Sequence, residues 1–350
     1  MEQAKFLRNQ WYVAGRTEEL GGDDHEAGAR LLGRTIMNEP IVFFRRKDGS
    51  VAALEDRCPH RKYALSKGVV LGDELQCGYH GVQLDGSGKC TKVPSQVNIP
   101  RGFGARAYPV AEKHTYLWVW MGDPALADPN LIYDWHWNDD PGWKTVHGYH
   151  HVKGDYQLLI DNLLDLTHLT LVHKTTLSGP GIMENPLKVW TDGDALRSLR
   201  DIRNVMPAPI NTLWRNKPGQ PIDRIQETEF KAPGYISIVI RANPAGSNVD
   251  TPQHVVINNV IPETDDTTHY FWGISRCGAL DDQHVDAMYK KMLIVAFDED
   301  VAVVDRQHRN IVSDPSDRPL AYFEGDEAAL QARRIMGKKL AEEAKSHATA

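Results

Sequence analysis

The stretch from Cys58 to His80 constrains this chain more than any other. It holds two ligand pairs, C-P-H (Cys58, His60) and C-G-Y-H (Cys77, His80), with sixteen residues between them. Each pair offers one thiolate and one imidazole, both soft-to-borderline metal ligands. A structural zinc site favours Cys-x2–4-Cys and His-x3–5-His spacings, whereas here Cys and His alternate and the first gap is a single residue. A disulfide between Cys58 and Cys77 would leave both histidines unexplained.

A centre with two cysteines on one iron and two histidines on the other needs this inventory. That centre is the Rieske [2Fe–2S] cluster, so Cys58, His60, Cys77 and His80 are its candidate ligands.

The bulk numbers narrow the setting. A chain of 350 residues has room for two domains, and 41% hydrophobic residues can form a sizeable core. A net charge of −7 argues against a nucleic-acid binder, which normally shows a basic face. With four cysteines, two of them (Cys90 and Cys277) outside the ligand pairs, a reducing compartment is expected and not a disulfide scaffold. The first ten residues carry no apolar signal core. No apolar run approaches the roughly 20 residues of a membrane span. The expected location is the cytoplasm.

Along the chain, Ile41–Phe44 and Val51–Leu54 read as strands around a hairpin turn at Asp48-Gly49. Gly78 and Gly81 bracket the second ligand pair, where backbone passes close to a cluster. Tyr116–Met121 alternates, with Trp118 and Trp120 on one face, as a half-buried strand would. Residues 1–122 therefore read as a small all-β domain with metal loops at its tip, and 123–350 as a second domain. The three tryptophans of residues 134–143 (Trp135, Trp137 and Trp143) read as packing near the junction.

Residues 156–172 predict one helix, apolar nearly all round and hence buried. Yet it carries Asp161, Asp165 and His168, and buried carboxylates need a cation or a metal. Strand-like runs follow, Tyr235–Ile240 and Val255–Ile261 among them. A second helix is expected over 282–311, with Met288, Met292, Ala296, Asp300 and Val303 on one stripe. A solvated, amphipathic helical tail is expected from about 326.

The first of these helices contains D-L-T-H-L-T-L-V-H. Asp165 and His168, three apart, share a face. His173 lies about 140° further round, so both histidines reach one metal only if the helix bends or ends between them. Two histidines and one carboxylate form the facial triad of Fe(II) sites that activate oxygen. Taken alone, a buried histidine is as readily a hydrogen-bonded core residue, and His173 could complement a helix C-terminus.

With D-x2-H-x4-H following C-x-H…C-x2-H, the chain resembles the large catalytic subunit of the Rieske non-heme iron oxygenases. W-Y-V-A-G near the start, I-P-E-T-D (261–265) and H-Y-F-W-G (269–273) extend the likeness over nearly the whole chain. They are similar to the branch of vanillate and dicamba O-demethylases and toluenesulfonate methyl-monooxygenases. The resemblance implies an α+β fold. An N-terminal all-β Rieske domain is followed by a catalytic domain with a central antiparallel sheet and flanking helices, helix-grip or START-like.

It also implies that His168 and His173 bind mononuclear Fe(II), and that Asp165 bridges to a Rieske-ligand histidine across a subunit boundary. The third ligand is implied in A-F-D-E-D-V, where Asp300 fits best and the apolar stripe selects it over Asp298 or Glu299. Asn162 matches a polar residue close to the iron. The pocket is implied around Phe230 and the strand before I-P-E-T, where Asn258 stands at a position from which some relatives hold the substrate acid. Expected partners are an aromatic acid, O2 and a flavin/[2Fe–2S] reductase using NAD(P)H, with a homotrimeric assembly. The alternative is a Rieske electron carrier whose second domain is not catalytic.

Overall fold

In a computed structural model, the described residues are 5–21, 31–247, 249–316, 318 and 320–349, with side chains described as far as 346. Residues 1–4, part of the N-terminal segment read above, lie outside them. The chain divides into two compact units, one running from Arg8 to Asp134 and the other taking in Leu7 and the chain from Trp135 onward. The division falls beyond the 122/123 boundary suggested by the sequence. The short turns after Gly122 belong to the first unit because Trp11 Nε1 donates to Asp128 O at 2.8 Å. No helix among the described residues is long and apolar enough to cross a membrane.

Among the described residues the first unit is all-β, with three small antiparallel sheets. The hairpin at Asp48-Gly49 forms as expected: Phe44 pairs with Ala52, and Gly49 takes φ +84° at the turn. Strand Tyr116–Trp120 departs from its expected half-burial, since all five residues are buried. It is the middle strand of its sheet, paired on both edges by Trp11–Arg16 and Val110–Lys113, and its side chains are buried on both faces.

The second unit is built on a seven-stranded antiparallel sheet. Its spatial order is Lys144–Val152, Thr268–Arg276, His254–Pro262, Tyr235–Pro244, Ile222–Lys231, Ala195–Val205 and Lys188–Asp192. Helix α1 (Tyr156–Leu164), helix α2 (Gln283–Ser313) and helix α3 (Glu327–Thr349) complete it. The overall class is α+β.

Three sequence expectations are corrected here. The predicted 156–172 helix ends at Leu164, because Asp165 turns extended (φ −100°, ψ 96°) and its carboxylate caps a separate short turn, Leu166–Thr170. The buried stripe of α2 is Val285, Tyr289, Leu293, Ala296, Phe297, Asp300 and Val304, while Val303 is exposed. The tail is not simply solvated. Ala328, Ala329, Ala332 and Met336 are buried in the main core, and Arg333 pairs with Asp161. That ion pair is the partner the Asp161 carboxylate required.

Candidate metal centres and substrate cavity

The two cluster loops share one hydrogen-bond scheme. Cys58 N donates to Tyr63 O and Cys77 N to Val82 O, both at 2.8 Å and both five residues on. Lys62 N returns to Cys58 O at 2.8 Å, as Gly81 N does to Cys77 O at 3.0 Å. The residue in that fourth position has positive φ in each loop, Lys62 at 57° and Gly81 at 73°. The loops differ in one respect: the histidine stands two residues after the first cysteine and three after the second. Gly78 is required by close approach, since a Cβ there would lie 2.6 Å from Lys67 O.

The ligand atoms are sorted by depth. Cys58 and Cys77 are buried free thiols, while His60 and His80 are exposed with ring centroids 4.7 Å apart. Burial, and then the adjoining Cys77 thiol, push the Cys58 thiol up to about 11. Two buried thiols in contact cannot both ionise without a cation between them. An inner thiolate pair and an outer imidazole pair fit a [2Fe–2S] cluster with its histidine-bound iron toward solvent.

In the second unit, the break at Asp165 lets both histidines face α2. His168 Nε2 and His173 Nε2 lie 3.3 and 3.2 Å from Asp300 Oδ1. One ligand atom from each of the three residues falls within 4.8 Å of the others. The tautomers follow from the partners. His168 Nδ1 faces the Asp165 carbonyl at 2.6 Å, and His173 Nδ1 faces Glu299 Oε2 at 2.8 Å. Each partner can only accept, so both Nδ1 atoms carry a proton, and Nε2, which faces Asp300 in each ring, is the atom that would bind a metal once its proton is released.

Burial alone would raise the Asp300 carboxyl, but hydrogen bonds and charge from His168 and His173 outweigh it and hold it below the usual range. Burial would lower His173, and Asp300 and then Glu299 raise it instead. The geometry thus separates the three acids of the D-E-D run. Asp300 joins the histidines, Glu299 orients His173, and Asp298 lies 3.2 Å from His150 Nε2. Asn162 Nδ2 donates to Asp300 Oδ1 at 3.2 Å, and its own buried Oδ1 has no hydrogen-bond partner. Asp165 is half-buried, with Oδ1 accepting from Thr167 N and Oγ1. Two imidazole Nε2 atoms and one carboxylate converging on a point fit a 2-His-1-carboxylate Fe(II) site.

These ligands line a narrow cavity with about 50 Å³ of room for water-sized molecules. Leu163, Leu169, Ile238, Ile240, Leu293 and Phe297 supply most of its apolar wall. Asn258 is in that wall, but both ends of its amide are engaged: Nδ2 donates to Ile236 O at 3.0 Å and Oδ1 accepts from Tyr270 at 2.6 Å. Phe230 is buried on the same face of the sheet, two strands away in the Asn258 row, and is not among the lining residues.

Sequence reasoning missed Arg224, Gln226 and His254, which join Asn258 and the metal ligands as polar residues of the wall. A signal for the first two was present. In I-D-R-I-Q-E-T-E-F the inward phase is fixed by Ile222 at one end and Phe230 at the other, and it carries Arg224 and Gln226 inward as well.

Comparison with known proteins identifies the family. The Rieske [2Fe-2S] domain matches residues 10–109, and the vanillate O-demethylase oxygenase C-terminal domain matches residues 152–342. The chain belongs to the Rieske non-heme iron oxygenases. A vanillate O-demethylase oxygenase subunit from Pseudomonas sp. (strain HR199 / DSM 7063) is 36% identical over 97% of this chain and 96% of its own. The crystal structure of dicamba monooxygenase bound to 3,6-dichlorosalicylic acid superposes with a TM-score of 0.90 at 34% identity, covering 97% of this chain and 99% of that one. Dicamba monooxygenase with non-heme iron and dicamba gives 0.84 at 32% identity, covering 98% and 100%.

The chain is thus an enzyme, the oxygenase component of a system whose named relatives act on aromatic substrates. It carries a Rieske [2Fe–2S] domain and a 2-His-1-carboxylate set able to hold mononuclear iron.

Proposed function

We propose that this oxygenase component oxidises a methoxy or methyl group on a substituted aromatic acid, with O-demethylation of a methoxybenzoate-type substrate as the leading reaction. The observation that carries this reading is the convergence of His168, His173 and Asp300 on the wall of a largely apolar cavity. When iron is bound there, the site supplies oxygen activation by electrons delivered one at a time through the cluster.

The chain's own residues do the rest. Leucine, isoleucine and phenylalanine side chains exclude water and fit a ring. The carbonyl of Asp165 and the carboxylate of Glu299 fix the two imidazoles. Insertion of one oxygen atom into a methoxy C–H bond gives a hemiacetal, which collapses to the phenol and formaldehyde. The second oxygen leaves as water, taking up two electrons and two protons.

The electrons are proposed to come from NAD(P)H through a separate flavin/[2Fe–2S] reductase. A homotrimer is proposed in which Asp165 reaches His80 of the partner subunit. The half-exposed Asp165 carboxylate has its Oδ1 committed to Thr167, and its other oxygen is available for a second-sphere imidazole. A cyclic head-to-tail trimer would give every cluster such a neighbour.

The test is turnover with a generic Rieske reductase and NADH across methoxy- and methyl-benzoates, following formaldehyde and hydroxylated product. Iron analysis accompanies it, with three irons per chain expected. A chain holding two irons and releasing no product from any aromatic would be an electron carrier instead.

A further inference from the structure

The cavity wall contains a cation that no carboxylate among the described residues pairs with. Arg224 lies on strand Ile222–Lys231, is 6% exposed, and lines the cavity that holds the iron ligands. Its Nε has no hydrogen-bond partner, and among the described residues no carboxylate pairs with the guanidinium. The charged group felt most strongly there is a second buried guanidinium, Arg200, whose Nε is engaged by Asn185 O at 3.2 Å. Burial, with Arg200 adding to it, lowers Arg224 only to about 10, so it stays charged at neutral pH. A buried, unpaired charge beside another of the same sign is strongly unfavourable, and an anion between them relieves it.

Two further groups are uncommitted beside it. Gln226 follows Arg224 on the same inward phase, and Gln226, Ile240 and His254 form one row across three adjacent strands. Gln226 Oε1 and His254 Nδ1 are both buried without hydrogen-bond partners. Burial, then Arg224 and Arg215, drive His254 down to about 3, so it is a neutral imidazole able to donate one hydrogen bond.

This polar group has a definite place. The His254 ring packs on Tyr289 of α2, with centroids 5.9 Å apart. At the other end of the sheet face, Trp272, which pairs with Asn258, packs on Phe297 at 5.2 Å. Asp300 is one helical turn further on. Tyr289 and Asp300 are therefore separated by about 16 Å along the helix axis. His254 therefore lies toward the Tyr289 end of this face, and the metal ligand Asp300 toward the Phe297 end.

Resting on the reading of the chain as an aromatic-acid oxygenase, we propose that Arg224, aided by the His254 imidazole, binds the ring oxyanion of the substrate, a carboxylate or sulfonate, in the cavity that holds the iron ligands. Arg224 is then a specificity-determining residue. The engaged amide of Asn258, at the position the family resemblance pointed to, is not the acid's partner. A planar fork of N–H donors suits a carboxylate held in two-point contact, and a lysine does not reproduce it.

The test uses the full-length, iron-loaded enzyme with a generic reductase and NADH, and compares 4-methoxybenzoate with its neutral isostere 4-methoxybenzamide. The wild type is expected to show a KM at least tenfold lower for the acid. Arg224→Gln should raise the KM of the acid at least tenfold while leaving that of the amide within about twofold, so the preference disappears. Arg224→Lys should keep part of it. Toluene-4-sulfonate, run in parallel, tells which oxyanion the site takes: the one with the lower wild-type KM, provided that Arg224→Gln abolishes its advantage.

If wild-type KM values for acid and amide are equal, or the Arg224→Gln enzyme retains the wild-type ratio, the proposal is overturned while the oxygenase reading stands. Failure to oxidise any aromatic, acid or neutral, sinks the functional reading itself. Should Arg224→Gln not fold, as judged by loss of the Rieske spectrum, the wild-type ratio and Arg224→Lys decide.

Discussion

The two metal-ligand sets of this chain are assembled in opposite ways. Cys58, His60, Cys77 and His80 come from two loops within one stretch, each closed by the same pair of backbone hydrogen bonds and each needing a residue of positive φ. His168 and His173 instead follow an interrupted helix, and Asp300 arrives far later on α2. The first set depends on its own loops. The second depends on a core of helices and a seven-stranded sheet that brings distant residues together. Spacing in sequence encodes a local site almost completely, whereas a distributed site is encoded only as separate pieces.

The comparison predicts different failures, and the largest belongs to the cluster. His60→Ala or Cys77→Ser should abolish the visible and EPR signatures of the Rieske centre, because all four ligands are needed to hold both irons. Product formation should fall to background with it. A normal spectrum in either variant would show that the ligands are elsewhere.

Asp300→Ala should leave the Rieske spectrum intact and remove the mononuclear iron, with turnover down by more than about a hundredfold, since two neutral imidazoles hold Fe(II) weakly. Glu299→Gln is the graded counterpart. It loses the carboxylate that orients His173 and should cost about tenfold in iron affinity or activity. Iron counting by mass spectrometry on both variants separates the roles. If Glu299→Gln lost the metal and Asp300→Ala kept it, the assignment within the D-E-D run would be reversed.

That run also shows where sequence stops being sufficient. The apolar stripe on α2 singled out Asp300, the acid that lies beside both histidines, yet Glu299 was no more than a rejected ligand until the structure put it 2.8 Å from His173 Nδ1. The helix break is a similar case. A chain of leucines from 158 to 171 argues for continuity, and only the capping of Leu166–Thr170 by the Asp165 carboxylate outweighs it. Helix propensity is summed over many residues and hides a single strong cap. Asp161, on a buried helix, called for a cation or a metal, and its partner, Arg333, is on the last helix, beyond the reach of any local pattern. Arg224 was legible in the strand's alternation and was overlooked because strand polarity was not tested against its phase.

Asp165→Asn probes the one residue that would join the two sites. Asparagine can still accept from Thr167, so the turn that sets His168 should survive and the cluster spectrum and iron should stay. Product formation should drop at least tenfold, and a pre-reduced cluster should fail to reoxidise in the presence of substrate and O2. Wild-type single-turnover kinetics in a monomeric Asp165→Asn enzyme would remove both the bridge and the trimer from the account.

The smallest effect separates the units by pH. Glu39, in the cluster-bearing unit, accepts from Tyr108 at 2.7 Å and pairs with Arg8 and Arg106. Burial would raise its carboxyl, but the Tyr108 hydrogen bond and the two guanidinium groups hold it below its ordinary value of 4.5. A depressed carboxylate stabilises the folded state above its unfolded value and loses that contribution as pH falls through the folded one. Glu39→Gln should therefore cost the unit about 1 kcal/mol at neutral pH, a modest figure because solvent screens a half-buried pair. The gap in melting temperature between wild type and variant should be widest near pH 7 and close progressively below about 4.5. Differential scanning calorimetry across that range reads the gap directly. A difference that stayed constant from pH 7 to pH 3 would mean that the Glu39 charge contributes nothing and that only the lost shape of the carboxylate matters.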